Sequence, residues 1–144
     1  MSSPLDLLGR WHLDRTVEDR RGATTLGVTG TAVLAPTDDG AVRWHEEGVL
    51  RRPGAAPAEV SRTLLLVPPA PGDEEPWWVR FADGRPFHPW RPGVDVEHPC
   101  APDLYRGRVD VDGADAWRVR WTVRGPAKDY TMRTAYARAL ASPS

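Results

Sequence analysis

A strict alternation of apolar and polar residues between Trp117 and Arg124 constrains the fold of this chain more than any other feature. Trp, Val, Trp and Val alternate here with Arg, Arg, Thr and Arg. Successive side chains of a β-strand point to opposite faces, so the segment predicts a strand with one buried face. No window of comparable length sustains the helical period of about 3.6 residues. A helical turn is predicted only at Ser3–Gly9, where Ser3 can cap, Pro4 suits the first position and Gly9 can end the turn.

Seven further runs have the composition of strands, and turn signals such as Thr37-Asp38-Asp39-Gly40 separate them. Eight short sequential strands favour an all-β fold, either an antiparallel up-and-down barrel or a sandwich. We prefer a closed, lipocalin-like barrel in one domain, 1–144, because closure removes edge strands and leaves room for packed side chains or one small ligand. The seven runs are 10–19, 24–35, 41–50, 58–67, 76–82, 104–112 and 129–139.

Two proline-rich stretches interrupt this pattern. Residues 68–76 are polar and of low complexity, which predicts a solvated loop. Residues 83–103 are predicted to form a connection longer than the ~12–15 residues usual in a compact domain. Long loops often form lids or rims. This one concentrates the polar and aromatic residues Asp83, Arg85, Phe87, His88, Trp90, His98, Cys100 and Asp103.

Charge and composition exclude several classes of protein. With 19 basic and 20 acidic residues the net charge is -1, which argues against nucleic acid as a partner. No apolar run approaches the ~20 residues that span a bilayer, so no membrane partner is expected. A single cysteine and an N-terminus without signal-peptide character predict a cytoplasmic location. The sequence leaves open whether the protein forms a homodimer.

Charged residues on the apolar faces of the strands are the strongest functional signal. Strand alternation puts Arg15, Glu46, Arg62 and Arg138 on faces that otherwise bear Trp, Leu, Val and Tyr. If these faces point inward, three positive charges accompany one negative charge, and buried charges need partners. Either Glu46, backbone carbonyls and tyrosines supply them, or an anionic ligand does. A register slip of one residue would turn any of them outward.

A resemblance to a known class of barrels rests on four motifs. Gly9-x-Trp11 after the first turn, with Arg138 on the last strand, is similar to the signature of lipocalin-like (calycin) barrels. Asp83-Gly84-Arg85-Pro86-Phe87-His88, His98-x-Cys100-x-x-Asp103-x-Tyr105 and Gly125-Pro126-x-Lys128-Asp129-Tyr130 extend it over nearly the whole chain. The set resembles an uncharacterised family of small bacterial lipocalin-like proteins. The resemblance implies that Trp11 and Arg138 close the barrel base through a cation–π contact, and it implies no reaction.

The remaining polar residues of the rim suit acid–base chemistry. His88 and His98 can exchange a proton near neutral pH, and Asp103 and Tyr105 could orient a ring nitrogen or donate to a developing oxyanion. The alternative is that these residues merely hydrogen-bond a loop to its own barrel.

Metal, haem and thiol chemistry are less well supported. His98, Cys100 and Asp103 are ligand types that suit zinc or iron, but established ligand spacings are missing, so we predict no metal and no cofactor. Cys100 is interpreted as a small buried thiol rather than a nucleophile. Lys128, the only lysine of the chain, is predicted to stabilise a tight hairpin rather than to form a Schiff base.

Two main functions follow from these residues. The first is a barrel that binds an anionic or carboxylate-bearing hydrophobic metabolite. Its anion partners would be Arg15, Arg62 and Arg85, its walls Trp44, Trp121, Tyr130 and Tyr136, and its acceptor Glu46. The second is a cofactor-independent isomerase or cyclase, with His88 or His98 as acid or base and Tyr105 or Tyr130 as donor. An interaction module that uses the rim is a third alternative.

Overall fold

The computed structural model describes residues 3–139, which form a short 3-10 helix, Pro4–Leu7, and one antiparallel sheet of ten strands. Ser3 and Asp6 form a capping box at the helix. No helix within residues 3–139 is long and apolar enough to cross a membrane. The strands are β1 Gly9–Asp19, β2 Thr24–Pro36, β3 Val42–Arg51, β4 Ala58–Val67, β5 Trp78–Phe81, β6 Pro86–Pro89, β7 Asp95–Cys100, β8 Asp103–Val111, β9 Ala116–Arg124 and β10 Asp129–Arg138.

The antiparallel all-β barrel predicted from the alternation is confirmed, although it has ten strands rather than eight. The two additional strands, β6 and β7, lie inside 83–103, so the prediction of one long connection there is wrong. With 4 and 6 residues, and with prolines among them, these strands are too short to show a clear period of two.

Sequential pairing produces the barrel, and β1 pairs with β10 as well as with β2. The strand order runs from β6 through β1 and β10 to β7, so β6 and β7 are the two edges of a nearly closed barrel. Pro86, Pro89 and Pro99 lie in these edge strands and lack the N–H that a ladder would need. Side chains bridge the gap instead, since the rings of Phe87 and His98 lie 5.2 Å apart.

The N-terminal helix and the end of β10 close one end of the barrel, which we call the base. The indole Nε1 of Trp11 donates to the carbonyl of Leu7 at 2.8 Å. The guanidinium of Arg138 lies 4.2 Å from the ring centroid of Trp11 and donates to the carbonyl of Leu8 at 3.0 Å. This cation–π contact covers an otherwise open end of the core.

Aromatic side chains fill the half of the barrel next to the base. Trp117 stacks on Tyr136 with ring centroids 3.9 Å apart and makes edge contacts with Trp11 and Trp44 at 6.0 and 5.2 Å. All four rings are buried. Trp44 and Tyr136, two of the expected cavity walls, both pack against Trp117 here. A ligand would have to lie nearer the opposite end, the mouth, where the β1–β2, β3–β4, β5–β6, β7–β8 and β9–β10 turns meet.

Candidate functional site

A buried carboxylate lies between the aromatic core and the mouth. Glu46 is 3% exposed, and four side chains donate to it. Arg15 Nη2 and Arg62 Nε donate to Oε1 at 2.8 and 2.7 Å. Trp44 Nε1 donates to Oε2 at 2.9 Å, and the hydroxyl of Tyr136 donates to the same oxygen. Because β3 places Trp44 and Glu46 two residues apart, both project inward on one face.

Strand register brings the partners of this carboxylate together. Glu46 is directly opposite Arg62 in the β3–β4 ladder, and Arg15 is directly opposite Thr134 in the β1–β10 ladder. Arg15 Nε donates to Thr134 Oγ1 at 2.8 Å. Sequence parity put Arg15, Glu46 and Arg62 on the apolar faces of their strands and left open which way those faces point. In the structure they point inward and form one hydrogen-bonded network.

The network shifts the protonation of its members. Burial alone raises the pKa of Glu46, but the charges of Arg62 and Arg15 and the hydrogen bond from Tyr136 outweigh it and lower the pKa to about 2. Burial and the neighbouring carboxylate raise the pKa of the Tyr136 hydroxyl above its ordinary value. At neutral pH the network thus holds an ionised Glu46 and a neutral Tyr136.

Arg62 is the member of this network that reaches the mouth. Its side chain is 31% exposed, against 9% for Arg15. The guanidinium carbon lies 5.7 Å from the ring centroid of Trp44. Since two guanidinium groups share one carboxylate, the network has a formal excess of one positive charge. The exposed part of Arg62 presents that excess to the mouth.

Stacked aromatic rings form the wall beside this charge. Phe87 lies between Phe81 and Trp121, with ring centroids 4.6 and 4.8 Å away and nearly parallel planes. Trp121 lies flat over Gly107, where an added Cβ would meet ring atoms at 2.6 Å. The glycine therefore determines where the indole sits.

His88 is buried beside the stack, 5.1 Å from the ring of Trp121. Its Nδ1 lies 2.8 Å from the carbonyl oxygen of Pro89, which fixes Nδ1 as the protonated nitrogen and leaves Nε2 as an acceptor. Burial, with smaller effects from the charges of His98 and Arg62, lowers the pKa of His88 to about 4. His88 is neutral at pH 7, and its ring and that of His98 both make edge contacts with Phe87, with centroids 4.8 and 5.2 Å away.

The other rim residues form a chain of contacts that ends at the β9–β10 hairpin. His98 makes edge contacts with Phe87 and Tyr105, with centroids 5.2 and 5.8 Å apart. The hydroxyl of Tyr105 accepts from Lys128 Nζ at 3.1 Å, and Asp103 pairs with the same nitrogen at 3.3 Å. Asp103 therefore forms an ion pair with Lys128. Lys128 lies in the turn between β9 and β10, where the sequence predicts a hairpin.

Arg85 and Tyr130 lie outside the network around Glu46. Arg85 is exposed on the β5–β6 turn, where Nε pairs with Asp83 at 2.7 Å. Tyr130 is half-buried in β10, nearer the mouth, opposite Val123. Sequence reasoning assigned no role to Phe81, Phe87 or Thr134, although Phe87 stands inside the Asp83–His88 motif. Cys100 is exposed, so its interpretation as a buried thiol is wrong. Within residues 3–139, no group of three His, Cys, Asp or Glu side chains is placed to hold a metal ion.

Fold and site together define a nearly closed antiparallel β-barrel with a packed base and a cationic, aromatic mouth. The chain belongs to DUF6314, a family of unknown function whose sequence pattern matches residues 7–138. No curated protein sequence matches it significantly.

Solved structures share the barrel fold. The S-type phycobiliprotein lyase CPES from Guillardia theta superimposes with a TM-score of 0.70 at 11% identity, over 96% of this chain and 92% of the other. The redesigned β-barrel mFAP0 bound to DFHBI gives a TM-score of 0.48 at 13% identity, over 92% of this chain and 99% of the other. A fluorescence-activating β-barrel designed de novo gives 0.47 at 13% identity, over 96% and 99%. At 11% identity the likeness to the lyase concerns the fold alone.

Proposed function

We propose that this protein binds a small, planar, anionic molecule, such as an aromatic carboxylate, at the mouth of the barrel. The observation on which the proposal rests is the excess positive charge of the buried network, presented by the partly exposed Arg62. A carboxylate on the ligand would pair with that guanidinium in a charge-assisted hydrogen bond.

The aromatic wall favours a planar body for the ligand. Phe81, Phe87 and Trp121 already stack face to face, and an aromatic ring that entered the mouth could extend or displace this stack. Neutral His88 would add one acceptor at Nε2. A ligand that carries a hydrogen-bond donor next to its ring would donate to this nitrogen.

Calorimetric titration with a matched pair of probes tests the proposal. 2-Naphthoate and 2-naphthamide share ring and shape and differ in charge. We expect the wild type to bind the carboxylate about 10-fold or more tightly than the amide, because a hydrogen bond to a charged group contributes about 1.5–3 kcal/mol. Arg62→Gln should abolish this preference.

Arg43→Gln is the matched control, since Arg43 lies on β3 with its side chain exposed on the outer face. It should leave both affinities unchanged. Equal affinities of the wild type for the two probes, absence of 2-naphthoate binding at millimolar concentration, or a preference that survives Arg62→Gln would each overturn the proposal.

The second candidate function is cofactor-independent isomerisation or cyclisation of a molecule bound in the same mouth. The fixed tautomer of His88 favours it, because Nε2 is an unprotonated base beside the aromatic stack. His88→Gln separates the two functions. A binding protein would keep its affinity for 2-naphthoate, whereas an enzyme would lose turnover of its substrate and still bind it.

The proposal includes three finer assignments from the sequence. The barrel is grouped with the calycins on the basis of Gly9, Trp11 and Arg138. The protein works in the cytoplasm. It needs no metal or cofactor, and the small molecule is its partner. Size-exclusion chromatography would decide between a monomer and a homodimer.

A further inference from the structure

Three arginines stand directly side by side across three neighbouring strands on the outer face of the barrel. Arg108 of β8 is opposite Arg120 of β9, and Arg120 is opposite Arg133 of β10. Directly opposed side chains in a sheet have their Cβ atoms about 5 Å apart, and like charges in such positions are destabilising. Such a row needs counter-charges, which neighbouring carboxylates or a bound anion can supply.

The row lies in a groove of about 360 Å³ on the outside of β1, β8, β9 and β10. Arg118 adds a fourth guanidinium to its walls, while its acidic lining residues are Asp14 and Asp110. Ala135 is opposite Arg118 on the neighbouring strand, and its small side chain leaves the groove unfilled at this position.

Intramolecular partners satisfy the row only in part. Arg108 pairs with Asp110 at 3.0 Å and with Asp95 at 3.4 Å, and Arg118 pairs with Asp112 at 2.8 Å. Arg120 and Arg133 are 3.7 and 3.5 Å from the carboxylates of Asp95 and Glu18, beyond good hydrogen-bond distance. Such exposed pairs contribute little and give way readily to a better anion.

We propose that this groove, which we call the arginine groove, binds a phosphate monoester of a small molecule. Guanidinium groups present forked donors that match the several oxygens of a phosphate, and two neighbouring arginines can share one such group. The groove lies within the size range of small-molecule sites, at their lower end, which suits a sugar phosphate rather than a large ligand. It is on the outer face of the sheet, whereas Glu46 and Arg62 project into the barrel, so the two proposals are independent.

NMR titration with ribose 5-phosphate, observed at the arginine Nε–H groups and referenced to ribose at matched ionic strength, tests the arginine groove. We expect saturable shifts of Arg120 and Arg133, and at least a 10-fold weaker affinity in Arg120→Gln. Arg124→Gln is the matched control, because Arg124 is exposed on the same face of β9 outside the groove, and it should change affinity less than 2-fold. Arg120→Gln should also keep or raise the Tm of the free protein, because it relieves the repulsion.

Three results would overturn the proposal. Equal weakening by Arg120→Gln and Arg124→Gln would indicate diffuse attraction to surface charge. Shifts confined to Arg62 would assign phosphate to the mouth. Tighter binding of a 12-nucleotide single-stranded DNA, weakened equally by both variants, would indicate an extended polyanion surface rather than a site for a phosphate monoester.

Discussion

Replacement of the buried carboxylate by an amide, Glu46→Gln, tests the central electrostatic claim about this fold. The pKa of Glu46 is lowered from 4.5 to about 2 in the folded protein. The unfolded chain therefore binds the proton more tightly than the folded one. Ionised Glu46 contributes stability that is complete above pH 4.5 and is lost as the pH falls toward 2. Lowering the pKa from 4.5 to about 2 corresponds to about 3 kcal/mol of stability.

At neutral pH the same substitution removes the counterion of Arg15 and Arg62. Removing one partner of a buried ion pair typically costs about 3–5 kcal/mol, because the remaining charge stays desolvated. We expect the free energy of unfolding of Glu46→Gln to be lower than that of the wild type by this amount at pH 7. The difference should shrink by about 3 kcal/mol between pH 4.5 and 2, since the wild type loses its advantage there.

Urea unfolding followed by tryptophan fluorescence, repeated from pH 7 to pH 2, measures both quantities. Glu47→Gln is the matched control, because Glu47 is the next residue of β3 and its side chain is 75% exposed. This substitution should leave the loss of stability between pH 4.5 and pH 2 unchanged. A difference between wild type and Glu46→Gln that stays constant from pH 7 to 2 would refute the reasoning.

Arg62→Gln keeps the test decisive if Glu46→Gln does not fold. This variant leaves Glu46 with the donors Arg15, Trp44 and Tyr136. Because it removes one of the two cations that lower the pKa of Glu46, the acid-induced loss of stability should be smaller than in the wild type. If Arg62→Gln and the wild type lose the same stability between pH 4.5 and pH 2, Arg62 does not lower the pKa of Glu46.

Three further predictions concern other parts of the barrel. Burial lowers the pKa of His88 from 6.5 to about 4, so stability falls as the pH drops from 6.5 to 4. His88→Gln should flatten that part of a profile of Tm against pH, whereas His12→Gln, at an exposed position, should not. Gly107→Ala should lower the free energy of unfolding by about 1–3 kcal/mol, because its Cβ would meet the Trp121 ring at 2.6 Å, and an unchanged urea midpoint would count against that packing. Arg138→Met should cost about 2 kcal/mol through loss of its contact with Trp11 and its carbonyl partners; wild-type stability would show that the base needs no cation.

The sequence predicted the strands well because the signal for a half-buried strand is local. All eight runs correspond to strands of the barrel, and parity along β1, β3 and β4 put Arg15, Glu46 and Arg62 on the apolar faces, which the fold turns inward. The two strands that it missed, β6 and β7, have 4 and 6 residues and face each other at the open seam. Prolines there suit an edge, and in a single sequence they are typical of a loop.

What the sequence by itself determined is the class of fold, the two faces of each long strand and which charged residues share a face with the apolar ones, since all three depend on alternation within a short segment. Tertiary structure alone decided which groups meet. Glu46 and Tyr136 are 90 residues apart, and Arg15 and Thr134 are 119 apart. Only the closure of β1 on β10 brings them into contact, and only burial beside two guanidinium groups sets the pKa of the carboxylate. The row of arginines on the outside has the same origin, because the register between strands, and not the spacing along them, puts like charges side by side.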